Sequence, residues 1–215
     1  MEDQPLFGQF SQSFRNDFNE LLRWRRDVRR FRSDAVDPDA LERCLTAFSL
    51  APSVGLSQPW RIVRVESDAA RANALKNFET ANANALGGYE GETAQKYASL
   101  KLTGMREAPV QIAVFCDEGT ATGKGLGIQT MPEMLRYSVV SAIMQFWLML
   151  RAEGIGLGWV SILNPKSLSQ SLDIPEDWSL VGYLCIGYPE QESLEPELQA
   201  AGWETRQSCP EILER

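Results

Sequence analysis

The 215-residue chain contains no histidine. Without imidazole there is no Ser-His-Asp or Cys-His nucleophile and no histidine-bearing metal site, which removes most hydrolase and zinc chemistries. Any reaction must be run by carboxylates, hydroxyls, cations, backbone amides or a cofactor. Cysteine is scarce too: Cys44, Cys116, Cys185 and Cys209 show no CxxC spacing. Three of them lie in apolar, regularly patterned segments, which predicts buried free thiols and an intracellular, reducing compartment. No apolar stretch reaches the ~18 to 20 uninterrupted residues of a spanning helix, and MEDQPLFGQF lacks a basic region followed by an apolar run, so a cytoplasmic location is expected. Positive charge is in deficit: 21 Lys and Arg against 29 Asp and Glu give a formal net charge of -8, which argues against a nucleic-acid surface. With no linker, repeat or low-complexity block, residues 1–215 read as one α+β domain, a sheet flanked by helices.

Against that acidic background stands RRDVRRF. Arg23, Arg25, Arg26, Arg29, Arg30 and Arg32 crowd ten positions, with Asp27 among them. Phe14, Phe18, Leu21 and Leu22 recur at helical spacing, so the run lies at the end of a first helix and just beyond it. If the helix continues, Arg25 and Arg29 share a face and can grip one phosphate through forked, charge-assisted bonds. The competing reading is a solvated helix C-terminus that favours cations through its dipole. Asp27, if enclosed, would be held in a fixed orientation by the surrounding cations.

The rest of the chain alternates elements. AVDPDALERCLTAF offers Asp37 as N-cap, Pro38 at the first helical position and Leu41, Cys44, Leu45 and Phe48 on one face. APSVGLSQPW breaks the pattern, either as a plain proline-bracketed turn or as part of a site, and leads into the strand RIVRVE. Asp68 can cap a helix through the 70s; GGYEGE interrupts it before AQKYASLKLTGM resumes helical periodicity. APVQIAVFCD reads as a buried strand and EGTATGKGLGIQTMPE as a loop. From Glu133 to Glu153 the chain is apolar on nearly every side, which predicts a central helix or one shared with a partner subunit. GLGWVSIL and LVGYLCIGYP are strands, separated by a short helix capped by Asn164. The glycines before Ser161 mark either an edge strand or a place where a flat ligand approaches the backbone closely. The polar tail reads as extended, with Trp203 pinned to something.

Taken in order, RRDVRRF, PSVGLSQPW and GIGLGWVSI resemble the motifs of the nitroreductase-like flavoproteins, over residues 15 to 206. That resemblance implies a central, mostly antiparallel sheet flanked by helices, in an intertwined homodimer with flavin mononucleotide (FMN) sites at the subunit interface. It implies that Arg25, Arg26 and Arg29 bind the phosphate and pyrimidine side of the flavin and that Ser53 and Leu102 line the pocket. Arg206, in GWETR, would reach the phosphate from its own or a neighbouring subunit's tail. Two departures stand out: Asp27 where the family usually has Ser, and Leu56 where it usually has Asn. Both, with KYASLKLTGMREAP and GWVSI, look like the subgroup of aerobic 5,6-dimethylbenzimidazole synthases. Those enzymes consume reduced FMN with O2 to make the lower ligand of cobalamin (vitamin B12).

By that resemblance Asp27 and Ser161 are the catalytic pair, and both also contact the flavin. Residues 78–106 form a lid, 190–215 an extended C-terminal arm, and a separate flavin reductase supplies reduced FMN. No metal is implied. The competing classes are an NAD(P)H-dependent nitroreductase or flavin reductase and a non-catalytic flavin-binding protein.

Overall fold

The computed structural model describes residues 8–215 and arranges four strands in the order β1-β2-β4-β3, every neighbouring pair antiparallel. They are β1 (Trp60–Arg64), β2 (Val110–Asp117), β3 (Gly156–Val160) and β4 (Trp178–Gly187). The central pair, β2 and β4, is apolar on both parities because helices cover both faces of the sheet. On one face Ile112, Val114, Leu184 and Ile186 meet α2 (Pro38–Leu45), α3 (Ala47–Leu50) and α6 (Met134–Ala152). On the other, Ala113, Phe115, Tyr183 and Cys185 meet Ala74 and Phe78 of α4 (Asp68–Leu86) and Leu168 of α7 (Pro165–Ser171).

Local signals account for most element ends. Asp37 accepts the Asp39 N–H at 3.0 Å and Pro38 opens α2, as its sequence reads. The cap of α4 differs from expectation: Ser67 accepts the Ala70 N–H, and Asp68 is the first helical residue. Both residue types cap well, and the shift leaves the Asp68 carboxylate in the first turn, where the helix dipole favours it. The helical pattern resumes as α5 (Gly91–Ser99) but stops before KLTGM, because Leu100 is already extended. Helix α6 runs between Glu133 and Glu153 as its apolar pattern implies, burying Leu135, Val139, Ala142, Ile143, Phe146 and Leu150. Residues 118–133 form no helix or strand. Cys44, Cys116 and Cys185 are buried free thiols, and Cys209 is an exposed one. No helix among the described residues is long and apolar enough to cross a membrane.

The arginine run departs from the helical alternative. Helix α1 (Gln12–Trp24) ends where Arg25 turns extended, with ψ 122. Arg25 and Arg29 therefore share no helix face. Instead Asp27 pairs with Leu157 as a parallel bridge and Phe31 with Pro189 as an antiparallel one. The Val28 N–H donates to the Leu157 carbonyl at 3.0 Å, and the Arg32 N–H to the Tyr188 carbonyl at 2.9 Å. Non-local pairing with β3 thus overrides the local helical tendency, and in the extended ribbon Arg25, Asp27 and Arg29 alternate onto one side. The ribbon lies so close to β3 that a Cβ on Gly158 would stand 2.1 Å from the Val28 carbonyl oxygen. The close approach read into the glycines of GLGWVSIL is made here by the chain's own backbone.

Candidate active site

Asp27 is anchored through both of its carboxylate oxygens. Its Oδ1 accepts the backbone N–H of Trp159 at 2.8 Å, and its Oδ2 accepts Arg29 Nε at 3.0 Å and Nη2 at 2.9 Å. A carboxylate offers about four lone-pair positions, so one remains for a substrate. The Asp27 side chain keeps 32% of its surface exposed while Arg29 keeps 13%, so the acid faces solvent and the base packs behind it. Arg29 Nη1 also donates to the Lys101 carbonyl at 3.1 Å, and the neighbouring Leu102 packs against the buried cluster that holds Phe31, Met105 and Cys185.

Arg25 has a different environment. Its guanidinium lies 4.6 Å over the Trp147 ring, and Trp147 packs at 6.4 Å against Trp159. Burial lowers the Arg25 pKa below its ordinary value, the like charge of Arg206 lowers it further, and Asp27 opposes both. Arg26 is shifted the same way by burial, then by Arg206 and Arg25. Arg26 donates to the carbonyls of Arg25, Arg23 and Leu194, yet its Nε is buried with no partner. Among the described residues, Arg25, Arg26 and Arg206 have no carboxylate within ion-pair distance, although the chain as a whole is acidic. Two partly desolvated cations, an exposed third and a spare buried donor fit a phosphate.

Ser161 follows the end of β3 and is exposed; among the described residues its hydroxyl makes no hydrogen bond, while its carbonyl accepts the Leu163 N–H at 3.0 Å. It lies two residues beyond Trp159, about 7 Å along an extended chain. Asp27 and Ser161 are thereby brought to one end of β3. Ser53 is not. It accepts the Gln58 N–H at 3.1 Å, and the adjacent Val54 N–H donates to Ser138 Oγ. Ser138 precedes Trp147 by about 14 Å along α6, so Ser53 sits at the other end of that helix from Arg25. Leu56, the second departure in the motifs, is 74% exposed with φ 56.

The arm after β4 packs on the ribbon of its own chain. The Glu190 N–H donates to the Arg30 carbonyl at 3.1 Å, Arg30 pairs with Glu197, and Arg206 N–H donates to Gln199 Oε1 at 3.1 Å. The arm is not wholly extended, since Glu197–Ala200 forms a short helix, α8. Arm and ribbon enclose a cavity of about 250 Å³ lined by Arg26, Asp27, Arg29, Arg30, Ser193 and Glu195. A larger one, about 980 Å³, opens on the far side of Ser161 between α4 and α7, lined by Lys76, Asn77, Leu163 and Asn164. It contains neither Asp27 nor the arginines, whereas the smaller cavity has Arg26, Arg29 and Arg30 beside Asp27, with Arg25 and Arg206 outside its lining. No cluster of acidic or cysteine side chains among the described residues could hold a metal ion.

Sequence reasoning missed Trp147 and Trp159 as supports. Trp159 stands inside the quoted GIGLGWVSI, but its contribution to Asp27 is a backbone N–H, which no residue type reveals. Trp147 reads as one more apolar residue of α6.

The profile of the nitroreductase family matches residues 22–188. A protein of Rhodospirillum rubrum named 5,6-dimethylbenzimidazole synthase is 50% identical over 212 residues, 99% of each chain. One of Rhodobacter capsulatus with the same name is 48% identical over 195 residues, covering 91% of this chain and 94% of its own. Among solved structures, oxidized iodotyrosine deiodinase bound to FMN and 3-iodo-L-tyrosine superposes with a TM-score of 0.70 at 21% identity, covering 92% of this chain and 97% of that one. A nitroreductase-like protein of Streptococcus mutans gives a TM-score of 0.67 at 22% identity, covering 94% and 100%. The chain belongs to the nitroreductase family.

Proposed function

We propose that this protein is a 5,6-dimethylbenzimidazole synthase, which fragments reduced FMN with O2 to release the lower ligand of cobalamin. The observation that carries the reading is Asp27, fixed between Arg29 and the Trp159 N–H beside unneutralised arginines, in a chain half identical to synthases over nearly its whole length. Arg25, Arg26 and Arg206 would hold the phosphate, with Arg29 and Leu102 toward the rest of the flavin. Reduced FMN would supply the electrons for the reaction with O2. Asp27, with one acceptor position unused and its orientation fixed, would take a proton from the bound substrate as general base. The unengaged Ser161 hydroxyl would donate a hydrogen bond where negative charge develops. Residues 78–106 would exclude water as a lid.

The reading includes a homodimer. Helix α1 buries no residue and leaves Phe14, Phe18 and Leu22 exposed, an apolar stripe suited to a second copy. A second copy would also supply Ser53, which its own chain holds away from the arginines. A separate flavin reductase would deliver the reduced flavin. The test is to mix protein with chemically reduced FMN anaerobically, admit air, and seek 5,6-dimethylbenzimidazole by mass spectrometry. Its formation supports the synthase; quantitative recovery of oxidised FMN, together with rapid reduction of bound flavin by NAD(P)H, supports a reductase.

A further inference from the structure

The segment around α5 is tied to the arginine ribbon beyond its C-terminal end and to the C-terminal arm along the helix itself. Beyond α5, the Lys101 carbonyl accepts Arg29. At α5 itself, Trp203 of the arm packs edge-to-face with Tyr97, at 6.2 Å, and with Tyr89 just before the helix, at 5.8 Å. The neighbouring Gly202 carbonyl accepts Lys96 Nζ at 2.9 Å. Tyr89 and Tyr97 stack on each other at 4.8 Å, and the Tyr97 hydroxyl donates to Asn82 Oδ1 at 2.7 Å, so the aromatic cluster reaches α4 as well. Upstream, the same arm is held to the ribbon through Arg26 to the Leu194 carbonyl and through Arg30 to Glu197.

Arg206 follows Trp203 by three residues. Its like charge bears on both Arg25 and Arg26. A phosphate reverses the sign of that interaction and draws Arg206 toward the ribbon. A pull on Arg206 is a pull on Trp203, and Trp203 is seated on α5.

We infer that Trp203 is a positioning residue that couples phosphate occupancy at Arg25, Arg26 and Arg206 to the ordering of α5, with the arm acting as the strap between them. This rests on the proposed reading that the site takes a phosphorylated flavin. Phosphorylated and unphosphorylated flavins should then differ in what they do to α5 as well as in how tightly they bind. The hydroxyl–amide link from Tyr97 to Asn82 passes the ordering on to α4.

Hydrogen exchange of the intact protein tests this without turnover. Saturating oxidised FMN should slow exchange in residues 26–31 and in Gly91–Ser99, whereas riboflavin should protect the ribbon and leave α5 unchanged. Trp203→Ala should weaken FMN binding about tenfold, equivalent to about 1.4 kcal/mol. At saturation it should still protect residues 26–31 but no longer α5, and Trp203→Phe should restore part of that protection. Arg206→Ala, which leaves the aromatic cluster intact, should likewise lose α5 protection at saturating FMN. Full α5 protection in either alanine variant, or equal protection by riboflavin in the wild type, overturns the coupling. Failure of FMN to protect residues 26–31 in the wild type overturns the flavin reading itself, so the two failures are distinguishable.

Discussion

Asp27 is fastened to Trp159 across 132 residues of sequence, its Oδ1 accepting the backbone N–H at 2.8 Å. The bond exists only because the arginine ribbon lies flat on β3, and Gly158 permits that contact. Gly158→Ala would drive a methyl group into the Val28 carbonyl, 2.1 Å away, with backbone on both sides and no flexible side chain to yield. The expected cost is about 1–3 kcal/mol, the usual range for overpacking. For a chain of this size that lowers Tm by about 2 to 12 °C. FMN affinity should fall with it. Thermal unfolding and flavin titration of the variant check both; unchanged Tm and affinity would mean that the ribbon is not seated as described.

Arg206 is exposed, and its side chain makes no ion pair among the described residues, so its removal should leave stability unchanged. Arg206→Ala should weaken FMN by about 10- to 100-fold, the worth of one or two charge-assisted bonds, and riboflavin far less. Equal weakening of both ligands, measured by fluorescence titration, would contradict a phosphate role.

Ser161 is exposed at the end of β3 with its hydroxyl unengaged. Ser161→Ala should therefore leave unfolding within about 0.5 kcal/mol of wild type. Loss of a donor aimed at developing charge should slow product formation by about a hundredfold or more. Single-turnover assays and denaturant unfolding separate the two effects; wild-type turnover would remove Ser161 from the chemistry.

The buried thiols give the fold an alkaline limit. Burial pushes Cys44 up to about 11, and Cys116 and Cys185 up to about 12, from an ordinary 9.0. Because the folded values lie above the unfolded one, the stabilisation is fully present below about pH 9 and is lost as pH rises toward 11 and 12. The urea midpoint should fall over that interval. At pH 8 iodoacetamide should modify Cys209 alone in the native protein and all four cysteines after unfolding. A second native thiol reacting at a comparable rate would contradict the burial.

Legibility in the sequence followed the range of the interactions. Asp37 and Pro38 announce α2 because a cap and a first-turn proline act within four residues, and the double-sided apolar run of Val110–Asp117 announces a covered strand. The path of Arg25 to Arg32 was not legible, since its extended form is imposed by Leu157 and Tyr188, far along the chain. The arginines and Asp27 themselves were visible as an anomaly of charge. Their supports were not: a backbone N–H of Trp159, the face of Trp147 and a carbonyl of Lys101 carry no signature in residue type. The placement of Ser53 shows the same limit, because motif order alone does not tell which end of α6 a residue lies at.

Asp27→Asn separates a carboxylate that handles a proton from one that merely braces Arg29. An asparagine carbonyl can still accept the Trp159 N–H, so the ribbon and the FMN affinity should persist. With reduced FMN and air, the variant should return oxidised FMN and yield at least about a hundredfold less 5,6-dimethylbenzimidazole than wild type, as expected for loss of a general base. Wild-type yield from Asp27→Asn would mean that Asp27 handles no proton in the reaction.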